Sequence, residues 1–338
     1  MTEYVIKRLL LFVPTLIAIT IITFVISRLA PGDPTELKVG VSEESMKTDE
    51  KSQLNEQAKD YYRQKWGLDK PIYMQYFIWL GNMARLDFGN SFVDNRPVLD
   101  KIVERLPVSI PISFSAIFIS YLIAIPIGIY SAARQYSFWD RASTVVLFIL
   151  YSLPTFWIGT MAIVFLANVE YIKLFPTSGL YTLGSDNWTF LERIWDKIWH
   201  LVLPIACYTY GSFAYLSRQM RGSMLEVIRQ DYIRTARAKG LKETTVVLKH
   251  ALRNSLIPII TLLAGIFPAL IGGSVIIETI FSIPGIGQLA FQALLARDYP
   301  LIMAELVIIA VLTIIGLLLM DIMYAIVDPR IAFTRRTA

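Results

Sequence analysis

Residues 108–133, VSIPISFSAIFISYLIAIPIGIYSAA, run for 26 positions without a charged side chain. A helix needs about 20 mostly apolar residues to cross a hydrocarbon core about 30 Å thick, so this stretch is long enough to span a bilayer. It is apolar all round, whereas a barrel strand alternates apolar and polar positions. Five further runs qualify: 9–27, 142–168, 201–217, 255–277 and, with polar interruptions, 301–327. The run 201–217 is the shortest, with His200 and Arg218 placed to lie at the interfaces. Pro14, Pro126, Pro154, Pro204, Pro258 and Pro268 sit in or near these runs, where neighbouring helices or local distortion satisfy the carbonyls that proline frees. The expectation is an all-α integral membrane protein with six transmembrane helices.

Composition agrees. Of 338 residues, 55% are hydrophobic and 17% charged, against about a quarter charged in an ordinary soluble domain. That pattern excludes a disordered chain, and a single cysteine excludes a disulfide scaffold. The formal charge of +5 need not point to nucleic acid, because membrane proteins use basic residues to orient their loops. The run 9–27 follows Lys7 and Arg8 as a secretory signal would, but its 19 residues exceed the usual apolar region of about 7–15. It reads as an uncleaved anchor. With a cytoplasmic N-terminus, the inner segments 1–8, 134–141, 218–254 and 328–338 carry 16 Lys/Arg against six acids. The short outer loops 168–200 and 281–300 carry four Lys/Arg in 53 residues, so an N-in, C-in topology is expected.

The largest soluble piece opens with the turn-rich Ala30-Pro31-Gly32-Asp33-Pro34. A polar stretch, 36–60, follows, and Leu54, Ala58, Tyr61, Tyr62 and Lys65 fall near helical spacing. Trp66 to Pro71 leads into Tyr73, Tyr76, Phe77 and Trp79, read as an interfacial aromatic belt rather than as ligand-stacking rings. The loop 218–254 reads as two helices, 218–239 closed by Gly240 and 244–254 leading into the fifth run. Two roles stay open for it. Small Thr235, Ala236, Ala238 and Gly240 would let a soluble partner dock closely, while the same basic helix would also rest on anionic lipid.

Several chemistries lack their residues. No G-x-x-x-x-G-K-[ST] occurs, so the chain carries no P-loop for ATP. His200, His250 and lone Cys207 give no spaced metal site, and neither G-x-S-x-G nor H-E-x-x-H is present. No catalytic residue is assigned. Acidic residues at membrane depth are candidates for function by default. Glu278, Glu305 and Asp321 all fall close to an expected interface, where hydrogen bonding at a helix end is the plainer role.

Together these residues resemble the dipeptide/oligopeptide-type permeases of bacterial ABC importers, in particular the first, B-type, permease. Tyr4-Val5-Ile6-Lys7-Arg8-Leu9-Leu10 leads to the Ala30–Pro34 turn, and Trp66-Gly67-Leu68-Asp69-Lys70-Pro71 is followed by Leu86-Asp87-Phe88-Gly89-Asn90-Ser91. Asp231-Tyr232-Ile233-Arg234-Thr235-Ala236-Arg237-Ala238-Lys239-Gly240-Leu241 looks like the family's cytoplasmic EAA loop, continued by His250-Ala251-Leu252-Arg253-Asn254. Glu278-Thr279-Ile280-Phe281-Ser282-Ile283-Pro284-Gly285-Ile286-Gly287 and Asp328-Pro329-Arg330 complete the match. Against the general E-A-A-x-x-x-G pattern, Arg234 and Thr235 replace the first two residues, as is usual in the peptide subfamily. Lys242 stands where relatives often have a capping Ser.

The resemblance implies a type I ABC importer transmembrane fold in the bacterial cytoplasmic (inner) membrane. Its parts would be a cytoplasmic stub and first helix (1–29), an extracytoplasmic segment (30–107), a five-helix core (108–327) holding the coupling loop 218–254, and a cytoplasmic tail (328–338). It also implies a second homologous permease, two ABC ATPase subunits holding ATP and Mg, and an external substrate-binding protein. Coupling would fall to Arg234, Thr235, Ala236, Arg237, Ala238, Lys239, Gly240 and Leu241. Glu278, Phe281, Pro284, Gly285 and Glu305 become candidates for the translocation path or outer gate. No cofactor or metal on this chain and no nucleic acid is expected, and the cargo would be di- or oligopeptides. Nickel complexes, glutathione or other small solutes are the alternative cargo, and a stand-alone secondary transporter is the alternative class.

Overall fold

Most of the described residues are helical, as the apolar runs require. The structure is a computed structural model describing residues 2–29, 57, 59–64 and 67–327. Thr2–Leu29 forms α1, with Pro14 inside it. Residues 59–64 are helical, including Tyr61 and Tyr62 of the expected amphipathic helix. Leu54, Ala58, Lys65, Trp66, the turn 30–34, most of 36–60 and Asp328–Arg330 lie outside the described residues.

Pro71 opens α2 (Ile72–Met83). α3 (Val98–Ala133) carries Pro107, Pro111 and Pro126 without breaking. Ser137 caps α4 (Phe138–Ser152) by accepting from the Asp140 N–H, as a serine N-cap does. α5 (Thr155–Leu166) follows at once. A full capping box, Thr189 with Glu192, opens α6 (Phe190–Ile228). α7 (Asp231–Ala238) is short, and Glu243–Thr245, a π-helical Val246–Ala251 and Leu252–Ser255 make up the run after it. The rest is α8 (Ile257–Leu262), α9 (Ile266–Gly272), α10 (Val275–Ile280), α11 (Ile286–Leu295) and α12 (Tyr299–Val327).

Four helical segments are long and apolar enough to cross a membrane: Leu10–Leu29, Val98–Ala133, Ile257–Ile280 and Tyr299–Tyr324. The run 142–168 differs from expectation. It is not one helix but α4 and α5, bent by 95° about Leu153-Pro154, and counts as a fifth span only if the pair is taken together. Proline disfavours helical backbone in the residue before it, and Leu153 is extended at ψ 129°. The run 201–217 lies inside α6, where Tyr208, Thr209, Tyr210, Ser212, Tyr215 and Ser217 dilute its apolar character below a spanning segment's. The expected helix 218–239 is also divided. Gln230 turns extended at ψ 151°, and Asp231 starts α7 with its charge at the favourable end of the dipole.

The described chain falls into two compact units, Met1–Val5 with Pro107–Gln288 and Leu312–Ala338, and Ile6–Leu106 with Leu289–Val311. In the second unit, Phe24, Val98, Ile102 and Leu301 are buried. The Asp87-Phe88-Gly89-Asn90 turn is closed by the Gly89 N–H donating to Asp87 Oδ1 at 2.9 Å. Asp298 ties the loop after it by accepting from the Phe92 N–H at 2.9 Å and from the Ser91 hydroxyl. The first unit has two apolar clusters. One gathers Ile112, Leu203, Cys207, Ile277, Phe281 and Ile283, the other Ala132, Met220, Met224, Ile233, Ala236 and Val246. α3 and α6 supply residues to both. Cys207 and Met220 are 13 positions apart, which is about 20 Å along a helix at 1.5 Å per residue.

Candidate functional site

The first cluster end to consider carries α7. Its sequence puts Ile233 and Ala236 three apart, on one helical face, and both are buried against Met220 and Met224 of α6 and Val246 and Val247. The other positions of the motif, Arg234, Thr235, Arg237, Ala238, Lys239, Gly240 and Leu241, are exposed. Ala236 therefore packs into this chain, and the outward face consists of the remaining seven. Gly240 has φ +76°, the left-handed conformation of a helix C′ residue, and donates to Arg237 O at 2.9 Å. Nothing lies within 4 Å of where its Cβ would be, so its value is backbone freedom rather than space. Arg237 grips Glu243 with two hydrogen bonds, 2.7 and 3.1 Å, which hold that carboxyl below its ordinary range. Asn254 donates to the Tyr232 hydroxyl at 2.7 Å, closing the elbow from its far side.

The sequence motifs did not single out the group that secures this end. Asp140, 3% exposed, accepts from Arg221 Nε at 2.7 Å and Nη2 at 2.8 Å, from the Tyr136 N–H at 2.9 Å and from the Ser131 hydroxyl. It thus joins the α3–α4 turn to α6. The signal available in the sequence was an acid among basic residues in a short loop next to a long helix carrying Arg221, which is weak without the fold.

The opposite end holds Glu278. The side chain is 2% exposed, and each carboxylate oxygen meets donors. Oε1 accepts from Ser109 Oγ at 3.1 Å and the Ser274 N–H at 3.3 Å, and Oε2 from the Gln288 N–H at 2.9 Å. Ser109 Oγ accepts in turn from the Ile286 N–H at 2.8 Å. A Cβ on Gly285 would stand 2.4 Å from the Glu278 carboxyl carbon, and one on Gly273 2.4 Å from Oε1, so both glycines are demanded by close approach. Phe281 is buried in the cluster beside this group, and its carbonyl accepts from the Gly179 N–H at 2.8 Å. Pro284 is half-buried in the same turn. The structure brings Glu278, Phe281, Pro284 and Gly285 together as a folded hairpin pinned by one buried carboxylate. Glu305 is buried too, but belongs to the second unit. Among the described residues no group of three His, Cys, Asp or Glu could hold a metal ion.

Comparison with known proteins covers nearly the whole chain. A family model described as "Binding-protein-dependent transport system inner membrane component" matches residues 124–333. Another, "Binding-prot-dependent transport system membrane comp, N-term", matches residues 1–113. The chain is 43% identical over 335 residues to the oligopeptide transport system permease protein AppB of Bacillus subtilis (strain 168), covering 98% of this chain and 100% of that protein. It is 34% identical over 344 residues to the dipeptide transport system permease protein DppB of Alkalihalophilus pseudofirmus, covering 98% and 100%. A solved chain from the inward-facing MetNI methionine ABC transporter overlaps 68% of this one and 97% of its own length, with a TM-score of 0.49 and 17% identity.

Proposed function

Because the chain belongs to the family of inner membrane components of binding-protein-dependent transport systems, we propose that it forms half of the translocation path of an ATP-driven peptide importer. A second homologous permease supplies the other half, and an external binding protein delivers di- or oligopeptides, the cargo that the names of its relatives carry. The chain takes a six-helix, N-in, C-in arrangement, with the bent α4–α5 pair as the third span and α6 as the fourth. Two ATPase subunits hold the ATP and Mg and seat the outward face of α7.

The observation that carries this reading is the anchoring of α7. A helix resting on lipid would turn its apolar face to the bilayer. Here Ile233 and Ala236 are spent on the chain's own core, and the face left over is short, basic and small-residued. Such a face suits a protein groove. A push on α7 is passed to Met220, Met224 and Ala132, and α3 and α6 run from there to the cluster around Ile277 and Phe281. Packed interiors transmit displacement because they have few voids to absorb it. Closure of the ATPases would then tilt these helices and move the Glu278 hairpin.

The test is purification of the chain in mild detergent with identification of its companions, then reconstitution with a binding protein. Expected is co-purification of two ATPases and a second permease, with peptide uptake that requires ATP. Uptake by this chain alone on an ion gradient would overturn the reading in favour of a secondary transporter.

A further inference from the structure

Two tyrosines of α6, Tyr208 and Tyr210, each donate a hydroxyl to a backbone carbonyl, and both carbonyls stand where a helix breaks. Tyr210 Oη donates to Leu153 O at 2.9 Å, between α4 and α5. Tyr208 Oη donates to Gly273 O at 3.0 Å, between α9 and α10. Residues two apart on a helix point about 200° apart, so α6 reaches the two breaks from opposite faces. Neither break continues its helix. Leu153 is extended at ψ 129° ahead of Pro154. Gly273 has φ 60° and ψ −165°, a conformation that is essentially glycine's alone. Non-helical backbone at membrane depth needs an internal partner, and here α6 supplies the donor twice.

Both breaks lead to the Glu278 hairpin. Past the first, Gly159 of α5 is buried, and a Cβ there would lie 3.6 Å from Ile280 and Phe281. Past the second, Ser274 caps α10, and its N–H donates to Glu278 Oε1 at 3.3 Å. The far end of α4 is tied to α6 as well, through the two bonds from Arg221 to Asp140. α4 is thus held to α6 near both ends, and a tilt of α6 carries α4 with it. Phenylalanine would fill the same space as either tyrosine, so the hydroxyls answer to the carbonyls and not to the packing.

We infer that Tyr208 and Tyr210 are positioning residues of the transport cycle. Their hydroxyls hold both helix breaks to α6, so that α5 and α10 follow its tilt and move the hairpin from two sides. The inference rests on the importer reading above, since a positioning role needs a cycle to act in.

The experiment uses the full chain in its co-purified complex, reconstituted in proteoliposomes with the binding protein. Uptake of a labelled mixture of di- to pentapeptides is measured per ATP hydrolysed. Tyr208→Phe and Tyr210→Phe should each lower this ratio roughly fivefold, the scale of one neutral hydrogen bond, with ATP hydrolysis retained. Loss of folded protein alone would lower uptake and hydrolysis together and leave the ratio unchanged. Tyr215→Phe is the control: Tyr215 is 48% exposed on α6, has no hydroxyl partner among the described residues, and should keep the ratio. A second readout is the shape of the first break. Spin labels on Arg141→Cys and Phe165→Cys, both exposed positions, are placed in a Cys207→Ser chain with thiol-free partners. They should give one narrow distance distribution, and Tyr210→Phe should broaden it. An unchanged ratio in either folded Phe variant, an equal fall in Tyr215→Phe, or an unbroadened distance in Tyr210→Phe overturns the inference. Either tyrosine decides alone, so failure of one variant to fold does not suspend the test. Absence of ATP-driven uptake in the unaltered complex removes the function and this role together, whereas a kept ratio in the variants removes the role alone.

Discussion

At Glu278 every observed partner is a donor, and an ionised carboxylate is an acceptor on both oxygens. A Gln there keeps one acceptor but turns an NH2 toward a donor, and a Leu leaves the Ser274 and Gln288 amides without a partner. Glu278→Gln is therefore expected to lose about 1–3 kcal/mol and Glu278→Leu clearly more, each unsatisfied buried donor adding a cost of that size. Ser109→Ala should resemble Glu278→Gln, because it strips one bond from the carboxylate and orphans the Ile286 N–H. Thermal unfolding in detergent ranks the three, and equal midpoints would remove the pin. Gly240 is demanding in another way. Its φ of +76° penalises a Cβ by roughly 1–2 kcal/mol, although the space around it is open. Asn tolerates this conformation and Val does not. Gly240→Asn should keep uptake and Gly240→Val should lose it. If Asn fails as badly as Val while the chain remains folded, the loss comes from a clash with the docked partner and not from the turn.

At the scale of the element, α7 is the member whose faces separate folding from coupling. Ile233→Ala removes a fully buried side chain from the cluster, a change that costs about 2–5 kcal/mol. Ala236→Asp puts a charge into the same cluster. Both should loosen the chain itself, seen as earlier unfolding and proteolysis within 218–254. Thr235→Asp and Ala238→Asp lie on the exposed face and should leave the unfolding midpoint unchanged while lowering uptake and ATPase association. If the two pairs behave alike, α7 has no outward role. Of this element the Gly240 cap was legible, being a local feature, whereas the Ile233/Ala236 face was not, because one helix over 218–239 sets a different register from a helix that starts anew at Asp231. What was not legible depended on context. Pro154 and Pro126 look alike in apolar runs, yet one divides α4 from α5 and the other sits inside α3, because a proline's freed carbonyl is satisfied by neighbours that no local pattern names. Gln230 divides α6 from α7 with no Gly or Pro to mark it. The start of α6 was missed for a different reason: Thr189-x-x-Glu192 announces a helix eleven residues before the apolar run at 201, but apolar periodicity alone does not register a cap. The Asp140–Arg221 clamp joins residues 81 apart and becomes visible only when α4 and α6 lie side by side.

For the whole molecule, the decisive question is how often the chain crosses, since four helices qualify by apolar length and the bent pair and α6 decide the rest. The basic loops predict that 134–141 and 218–254 face the cytoplasm and that 168–200 faces out. This is open to labelling because Cys207 is the single cysteine and is buried, so Cys207→Ser gives a background without thiols. Three exposed positions then divide the problem: Phe138 at the start of α4, Leu183 in the outer loop and Lys239 after α7. In intact cells, an impermeant maleimide should react with Leu183→Cys and spare Phe138→Cys and Lys239→Cys, which label only after the membrane is opened. Opposite sides for 138 and 183 mean that α4 and α5 cross together as one broken span. Opposite sides for 183 and 239 mean that α6 crosses despite its tyrosines and serines. If 183 labels from the same side as 138, the pair is re-entrant. The loop 168–200 would then lie inside, and α7 could face an ATPase only if α6 failed to cross as well, which leaves four spans and an even count with both termini still in. The six-helix arrangement would be lost in that case, while the anchoring of α7 to its own core would stand.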